Sequence, residues 1–137
     1  MDFIDTNIFI YTVDTSDVRK TKLSRQLIRD LRTTNTGCIS TQVVQEFCNV
    51  ALKKSAIPLN ADDVADIITT VFKKMALYTP GTDFYLNALK LYASHSLSFY
   101  DTLILQAAIE MGCSTLYSED LQAGQKIGGV TIVNPFA

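Results

Sequence analysis

The chain has 137 residues, of which 47% are apolar, 19% charged and 9% aromatic, and its formal net charge is −2. This size and composition are typical of one globular domain and exclude collagen-like, low-complexity and disordered chains. No apolar run approaches the roughly 18 residues that a membrane span needs, and an acid stands at position 2 where a signal peptide would carry basic residues. We therefore expect a single cytoplasmic domain over residues 1–137, without membrane attachment.

In chain order, short apolar runs alternate with amphipathic segments. For example, Leu23, Leu27 and Leu31 recur at helical spacing, which predicts a helix. The predicted elements are strand 3–4, helix 18–32, strand 38–39, helix 40–54, helix 60–74, strand 75–78, helix 82–94, helix 98–111, strand 115–117 and strand 130–133. Strands that alternate with helices in this way favour an α/β domain with a parallel sheet.

Cysteine and histidine are too scarce for several kinds of site. The three cysteines are far apart and form no C-x-x-C pair, which argues against a disulfide framework and a zinc site. The single histidine, His95, excludes a His-rich zinc hydrolase, and we place it at the surface near a helix end. Reduced, mostly buried cysteines agree with the cytoplasmic prediction.

Four acids stand where strands end or helices begin. Asp5 follows the first strand, Glu46 lies within the first two turns of the helix after the second strand, Asp101 is in the first turn of the helix capped by Ser98, and Asp120 follows the strand 115–117. Ligands of parallel α/β sheets bind outside the carboxyl ends of the strands. The four carboxylates are therefore expected to meet at that edge.

Such a meeting needs compensation. Two carboxylates about 4 Å apart repel by roughly 4 kcal/mol at an effective dielectric near 20. A hard divalent cation, a raised pKa or an arginine supplied by the fold could each offset this repulsion. Oxygen ligands without histidine or cysteine suit Mg²⁺ or Mn²⁺. Each acid alone is also explained as a helix cap or a turn residue, and only their joint placement favours a metal site.

Four segments in order carry a resemblance to a known family. They are Asp5-Thr6-Asn7-Ile8, Gln45-Glu46-Phe47, Ser98-x-x-Asp101-Thr102-Leu103-Ile104 and Tyr117-Ser118-Glu119-Asp120. This set resembles the four-motif signature of PIN domains, and the length and the closing Val133-Asn134-Pro135-Phe136 resemble the VapC toxins of VapBC toxin–antitoxin systems. The resemblance implies one PIN domain over residues 1–137, a three-layer α/β/α fold with a mostly parallel central sheet of four to five short strands.

The resemblance also implies an activity. The chain would be an Mg²⁺- or Mn²⁺-dependent endoribonuclease that hydrolyses RNA phosphodiester bonds with a metal-activated water, acting as the toxin of a type II toxin–antitoxin system. Its partners would be RNA, a small antitoxin protein and a second copy of the chain. The residues carried over are Asp5, Glu46, Asp101 and Asp120 as catalytic acids, with Asp5, Asp101 and Asp120 on the metal, and Asn7 and Ser118 as residues that orient them.

One position departs from the family pattern. The last motif is usually Thr-x-Asp, whereas this chain has Ser118-Glu119-Asp120, so two acids compete for the fourth place. Asp120 keeps the family's spacing and is our choice. Glu119 would then point to solvent or assist a second ion.

A basic face is predicted on the helix 18–32. Lys22, Arg25, Arg29 and Arg32 follow i, i+3, i+7, i+10 spacing and so lie on one side of it, away from the leucines. A stripe of this kind could track RNA phosphates or could be a solvated helix face.

Two other functions compete with the nuclease. An aspartate-based phosphotransfer protein would also place Asp5 after the first strand, but the second Asp of a phosphatase motif is missing, and Lys126 lies among glycines rather than after a strand. A non-cleaving PIN-like module that binds RNA or a partner is the other alternative, and the complete set of acids argues against it.

Overall fold

The computed structural model describes residues 1–53 and 59–137. Within them lie the helices α1 (Thr6–Tyr11), α2 (Val18–Thr34), α3 (Thr41–Lys53), α4 (Ala61–Thr70), α5 (Thr82–Ser94) and α6 (Phe99–Glu110). The strands are β1 (Asp2–Ile4), β2 (Gly37–Ser40), β3 (Ala76–Tyr78), β4 (Thr115–Tyr117), β5 (Lys126–Ile127) and β6 (Val130–Val133). A 3₁₀ turn, Phe72–Lys74, connects α4 to β3.

The strands form one sheet in the order β3-β2-β1-β4-β6-β5, with helices in layers on both sides. All neighbours are parallel except β5, which pairs antiparallel with β6. This confirms the predicted three-layer, mostly parallel α/β fold. The two-residue β5 is an addition, because a segment so short carries no alternating pattern from which a strand could be predicted.

The central strand β1 sets the position of the acids. Phe3 and Ile4 are fully buried, as expected for a parallel strand covered by helices on both faces. Ile4 pairs with Tyr117 of β4, so the residues that follow these two strands leave the sheet side by side. The sheet register therefore brings Asp5 next to the segment that holds Ser118, Glu119 and Asp120.

Helix starts follow local capping chemistry, as the sequence predicts. The Asp17 side chain accepts a hydrogen bond from the Lys20 amide at the start of α2, and Asn60 and Asp63 form a capping box at α4. Helix α4 ends at Thr70, earlier than the predicted residue 74, because the chain tightens into the 3₁₀ turn. The predicted end of the third helix near residue 54 lies outside the described residues.

Two glycines close the β5–β6 hairpin. Gly128 and Gly129 have φ values of 57° and 83°, which identify a two-residue turn that side chains other than glycine rarely adopt. A Cβ at Gly128 would also lie 2.7 Å from Cδ1 of Ile109 on α6.

Over residues 1–53 and 59–137, none of the helices is long and apolar enough to cross a membrane.

Candidate functional site

Asp5 is the most deeply placed of the four acids, with 6% of its surface exposed. It caps the N-terminus of α1, where its Oδ1 accepts a hydrogen bond of 2.7 Å from the Thr6 amide. Its Oδ2 accepts one of 2.8 Å from the Ser118 hydroxyl, across 113 residues of sequence. Both carboxylate oxygens are thus fixed by donors from two different strand ends.

Burial raises the pKa of Asp5 to about 6, although the hydrogen bonds from Ser118 and Thr6 favour its charged form. The negative charges of Asp120 and Glu46 raise the pKa further. A carboxylate in this position is electrostatically unsatisfied, so a cation placed beside it would lower its pKa and stabilise the ionised form.

The first turn of α1 holds two more acids. The Thr6 hydroxyl donates a hydrogen bond of 2.8 Å to Oε1 of Glu46 on α3, and the Asn7 amide donates one of 2.7 Å to Oδ2 of Asp120. Asp5, Glu46 and Asp120 are therefore gathered around one short helix. The sequence analysis expected Asn7 and Ser118 beside the acids, but it did not predict the role of Thr6. The position of Thr6 between Asp5 and Asn7 in the first motif was the only sign of that role.

Asp101 approaches the group from α6. Ser98 caps this helix through a 3.1 Å hydrogen bond from the Asp101 amide to its hydroxyl, so the Asp101 side chain is not needed as a cap. Burial raises the pKa of Asp120, and the charges of Glu119, Asp101 and Glu46 raise it further. Asp101 and Asp120 also line one cavity of about 290 Å³. Asp101 is thus coupled to Asp120, and no hydrogen bond joins it to Asp5 in the described part of the chain.

The donor chemistry of this group suits a hard divalent cation, since every available ligand is a carboxylate or hydroxyl oxygen. As placed, however, no three His, Cys, Asp or Glu side chains in residues 1–53 and 59–137 form a ready metal cluster. Hydrogen-bond donors from Thr6, Asn7 and Ser118 hold the acids instead.

Glu119 points away from this group. Its Oε2 forms an ion pair of 2.8 Å with Lys20, its Oε1 accepts a hydrogen bond from the Tyr11 hydroxyl, and 16% of its side chain is exposed. The Lys20 ammonium also lies over the rings of Tyr11 and Phe136, at 5.0 and 5.4 Å from their centroids. The sequence offered no sign of this cluster, because Lys20 and Tyr11 are 99 and 108 residues away from Glu119.

The basic residues of α2 do not all have the same surroundings. Arg25 donates two hydrogen bonds, of 3.1 and 2.8 Å, to the carbonyl of Thr12, the residue that ends α1. Arg29 and Arg32 line a cleft of about 560 Å³ with Lys73 and Lys74 of the 3₁₀ turn. The Lys20–Glu119 pair is the only salt bridge in the described part of the chain, so none of the cleft's four cations has an acidic partner there.

This cleft lies toward the amino ends of the strands, because α2 and the 3₁₀ turn lead into the starts of β2 and β3. The acids lie at the opposite, carboxyl ends. Lys22 lies nearer the N-terminal end of α2 and lines a separate surface depression with Arg25 and Arg29. The basic face predicted from the sequence therefore exists as an exposed stripe, and it extends onto the 3₁₀ turn.

Comparison with known proteins places this geometry in a family. The chain resembles VapC20 of Mycobacterium tuberculosis, a sarcin–ricin loop cleaving toxin, with 15% identity, a TM-score of 0.65 and coverage of 86% of this chain and 88% of that one. It resembles the DNA-bound VapBC of Salmonella typhimurium with 18% identity, a TM-score of 0.68 and coverage of 96% and 95%. No curated protein matches it significantly. Residues 3–126 match the sequence pattern of the PIN domain, and the chain therefore belongs to the PIN domain family.

Proposed function

We propose that this protein is a metal-dependent endoribonuclease and the toxin of a type II toxin–antitoxin system. The observation that carries the proposal is the coupling of Asp5, Glu46, Asp101 and Asp120 at the carboxyl edge of a PIN-fold sheet. Asp5 caps α1, but the other three acids have no such role, and the mutual repulsion of the four carboxylates is unfavourable to the fold. Their gathering is explained by the need to bind a cation.

Asp5, Asp101 and Asp120 would hold Mg²⁺ or Mn²⁺, which when bound supplies an activated water and offsets the charge on the phosphate. The side chains around them fix the acids in place. Ser118 and the Thr6 amide hold Asp5, and Asn7 holds Asp120. Oriented ligands of this kind tune metal affinity and reactivity.

Two further residues have assigned roles in the proposal. Glu46, held by the Thr6 hydroxyl, would position a water or a second ion at the rim of the group. Asp120 rather than Glu119 is the fourth acid, because Glu119 already forms an ion pair with Lys20 and accepts a hydrogen bond from Tyr11. A histidine base is not required, and the ring of His95 is near the Ser94 hydroxyl and the Leu91 carbonyl.

RNA, a small antitoxin protein and a second copy of the chain are the proposed partners. The likeness to VapC20, a sarcin–ricin loop cleaving toxin, supports the substrate class, and the likeness to the DNA-bound VapBC supports the antitoxin. The antitoxin would cover the acids and place a basic side chain among them, where its charge could neutralise the carboxylates as a cation does.

The test is cleavage of a single-stranded RNA by the purified chain with Mg²⁺, with Mn²⁺ and with EDTA, followed by mapping of the new 5′ ends. We expect internal cuts that require the divalent ion and that disappear in Asp101→Asn. RNA that is bound but never cut would favour the non-cleaving module. Transfer of phosphate from acetyl phosphate to Asp5 would favour the phosphotransfer alternative.

A further inference from the structure

A second cavity lies beside the acids, among the first turns of α3 and α5 and one side of α6. Its volume is about 120 Å³, roughly ten times what one water molecule requires on the same measure. It has room for one planar ring system and not for a folded segment. Its lining includes Ser40, Gln42, Gln45, Tyr78, Tyr85 and Tyr100.

Aromatic rings form the walls and the rim of this cavity. Tyr78 is half-buried and packs 5.4 Å from the buried ring of Phe84, which makes a firm inner wall. Tyr85 and Tyr100 stand at the rim with 42% and 65% of their surfaces exposed. Exposed aromatic rings beside a cavity of this volume offer a surface on which an unpaired nucleobase can stack.

Two polar groups in the lining have hydrogen-bonding capacity left over. Ser40 is 97% buried, and its hydroxyl has no hydrogen-bond partner in the described part of the chain, which is costly for a buried polar group. The Gln45 amide is exposed and bonds to no described residue. The Gln45 amide is the accessible one of the two, and an amide can both donate and accept, which matches the mixed edge of a base.

The cavity is connected directly to the proposed cleavage site. The Gln42 amide donates a hydrogen bond of 3.1 Å to the carbonyl of Tyr100 and lies 3.5 Å from Oε1 of Glu46. Tyr100 immediately precedes Asp101 in α6. A base held in the cavity would therefore belong to a nucleotide next to the phosphate held by the acids.

We propose that this cavity is a base-recognition pocket, which takes one unstacked nucleobase of the RNA and helps to choose where the chain is cut. The inference rests on the proposed ribonuclease function and adds a specificity determinant to it. Tyr100 and Tyr85 stack on the base, while the exposed amide of Gln45 meets its polar edge.

Binding can be measured without cleavage. The chain contains no tryptophan, so Tyr100→Trp introduces a single fluorescent reporter that keeps an aromatic ring at the rim. Titration with each of the four ribonucleoside 5′-monophosphates in EDTA should quench it saturably, with one base preferred. Adding Tyr85→Ala should weaken binding about 5- to 150-fold, the factor that corresponds to roughly 1–3 kcal/mol of stacking. Lys90→Ala, which changes an exposed residue of the same helix that does not line the cavity, is the control and should change nothing.

Cleavage of a random-sequence RNA library then separates the two proposals. If wild type leaves the library uncut, the ribonuclease proposal fails. If wild type cuts with a base preference beside the cut, Tyr85→Ala and Gln45→Ala should flatten that preference while Lys90→Ala keeps it. An unchanged preference, unquenched fluorescence, or a loss of binding explained by a change in molecular mass on light scattering would overturn the base pocket and leave the nuclease standing.

Discussion

Asp5 combines near-complete burial with a titratable charge, so protein stability should depend on its ionisation. Its pKa is about 6 in the folded protein against 3.8 in the unfolded chain, which means that the folded state holds the proton more tightly. The resulting stabilisation is present in full below about pH 4 and is lost as pH rises through 6, by about 3 kcal/mol in total.

The corresponding variant is Asp5→Asn, measured by urea unfolding in EDTA between pH 4 and 8. Relative to wild type, its free energy of unfolding should rise by about 3 kcal/mol over that range, because asparagine does not titrate. Asp83→Asn, which removes an exposed acid from the first turn of α5, serves as the control. Parallel profiles for wild type and Asp5→Asn would contradict the assignment of the pH dependence to Asp5.

Asp101 offers a second test at a single residue. Asp101→Asn removes one of the charges that oppose Asp120 and leaves the Ser98 cap intact, so the metal-free protein should gain a little stability. We expect a gain below about 1 kcal/mol, since Asp120 lies at the surface and solvent screens the pair. The stabilisation that Mg²⁺ gives should be lost, and cleavage should fall by about 100-fold or more.

Melting curves of wild type and Asp101→Asn, each with EDTA and with Mg²⁺, test these expected changes in stability. A metal-free variant that melts below metal-free wild type would show that Asp101 has a structural role instead.

Glu119 and Asp120 are neighbours with different surroundings, and matched amide variants should separate their roles. Asp120→Asn should lower kcat by about 100-fold or more, because a ligand of the proposed metal is lost. Glu119→Gln should keep kcat within about tenfold of wild type and lower the melting temperature, because it breaks the ion pair with Lys20. The reverse order of the two kcat values would make Glu119 the fourth acid.

At the scale of whole elements, α2 carries both structural and candidate RNA-binding residues. Arg29→Ala/Arg32→Ala should weaken RNA binding and reduce the slope of log K against log salt by about 0.7 for each phosphate of single-stranded RNA that the protein no longer neutralises. The kcat at saturating RNA should hold, since the cleft lies away from the acids. Lys90→Ala/Lys126→Ala, which removes two exposed cations elsewhere, is the control, and an equal slope in both variants would return α2 to a solvated face. Arg25 is left out of the test because its bonds to Thr12 support the end of α1.

Element types were predictable where the chain supplied a local signal. Capping residues and helical spacing located α2, α5 and α6, and the short apolar runs located five strands. Helix α1 was missed because its six residues, Thr6–Tyr11, are too few to show a helical period. The residue that caps this helix is Asp5, and the sequence around Asp5 indicated an acid of the candidate site rather than the start of a helix.

For the candidate site, the approach of the acids to one another could be predicted from the sequence, but not all of their contacts could. Asp5 and Asp120 followed strands whose ends had to meet in a parallel sheet, so their approach could be foreseen from topology. The contacts of Glu119 with Lys20 and Tyr11 could not be foreseen, because these residues are far from Glu119 in sequence and meet it only through the packing of the folded chain. The assignments of catalytic, metal-binding and RNA-binding residues stay predictions until the variants above are measured.

At the scale of the whole molecule, the exposed apolar residues are concentrated on one surface. Leu86 and Leu89 on α5 are 56% and 51% exposed, and Tyr92 and Phe99 continue the patch toward α6. Patches of this kind mark contact surfaces, and the expected second copy of the chain would use one. Light scattering should give the mass of a dimer for wild type and of a monomer for Leu86→Glu/Leu89→Glu, whereas the exposed-polar control Asn87→Glu should leave the mass unchanged. A dimer that survives the double change would locate the interface elsewhere.

The hydrogen bond between Ser118 and Asp5 closes a loop of 113 residues, and the strands that carry these residues pair at the centre of the sheet. Closing so long a loop is entropically costly, and contacts of this range form late in folding. A chain emerging from the ribosome has Asp5 long before it has Ser118 or Asp120, and β6 must follow before β4 is covered on its other side. If the protein cuts RNA, its acid site can assemble only after Ser118 and Asp120 have been synthesised, so the ribosome meets no assembled site before that point.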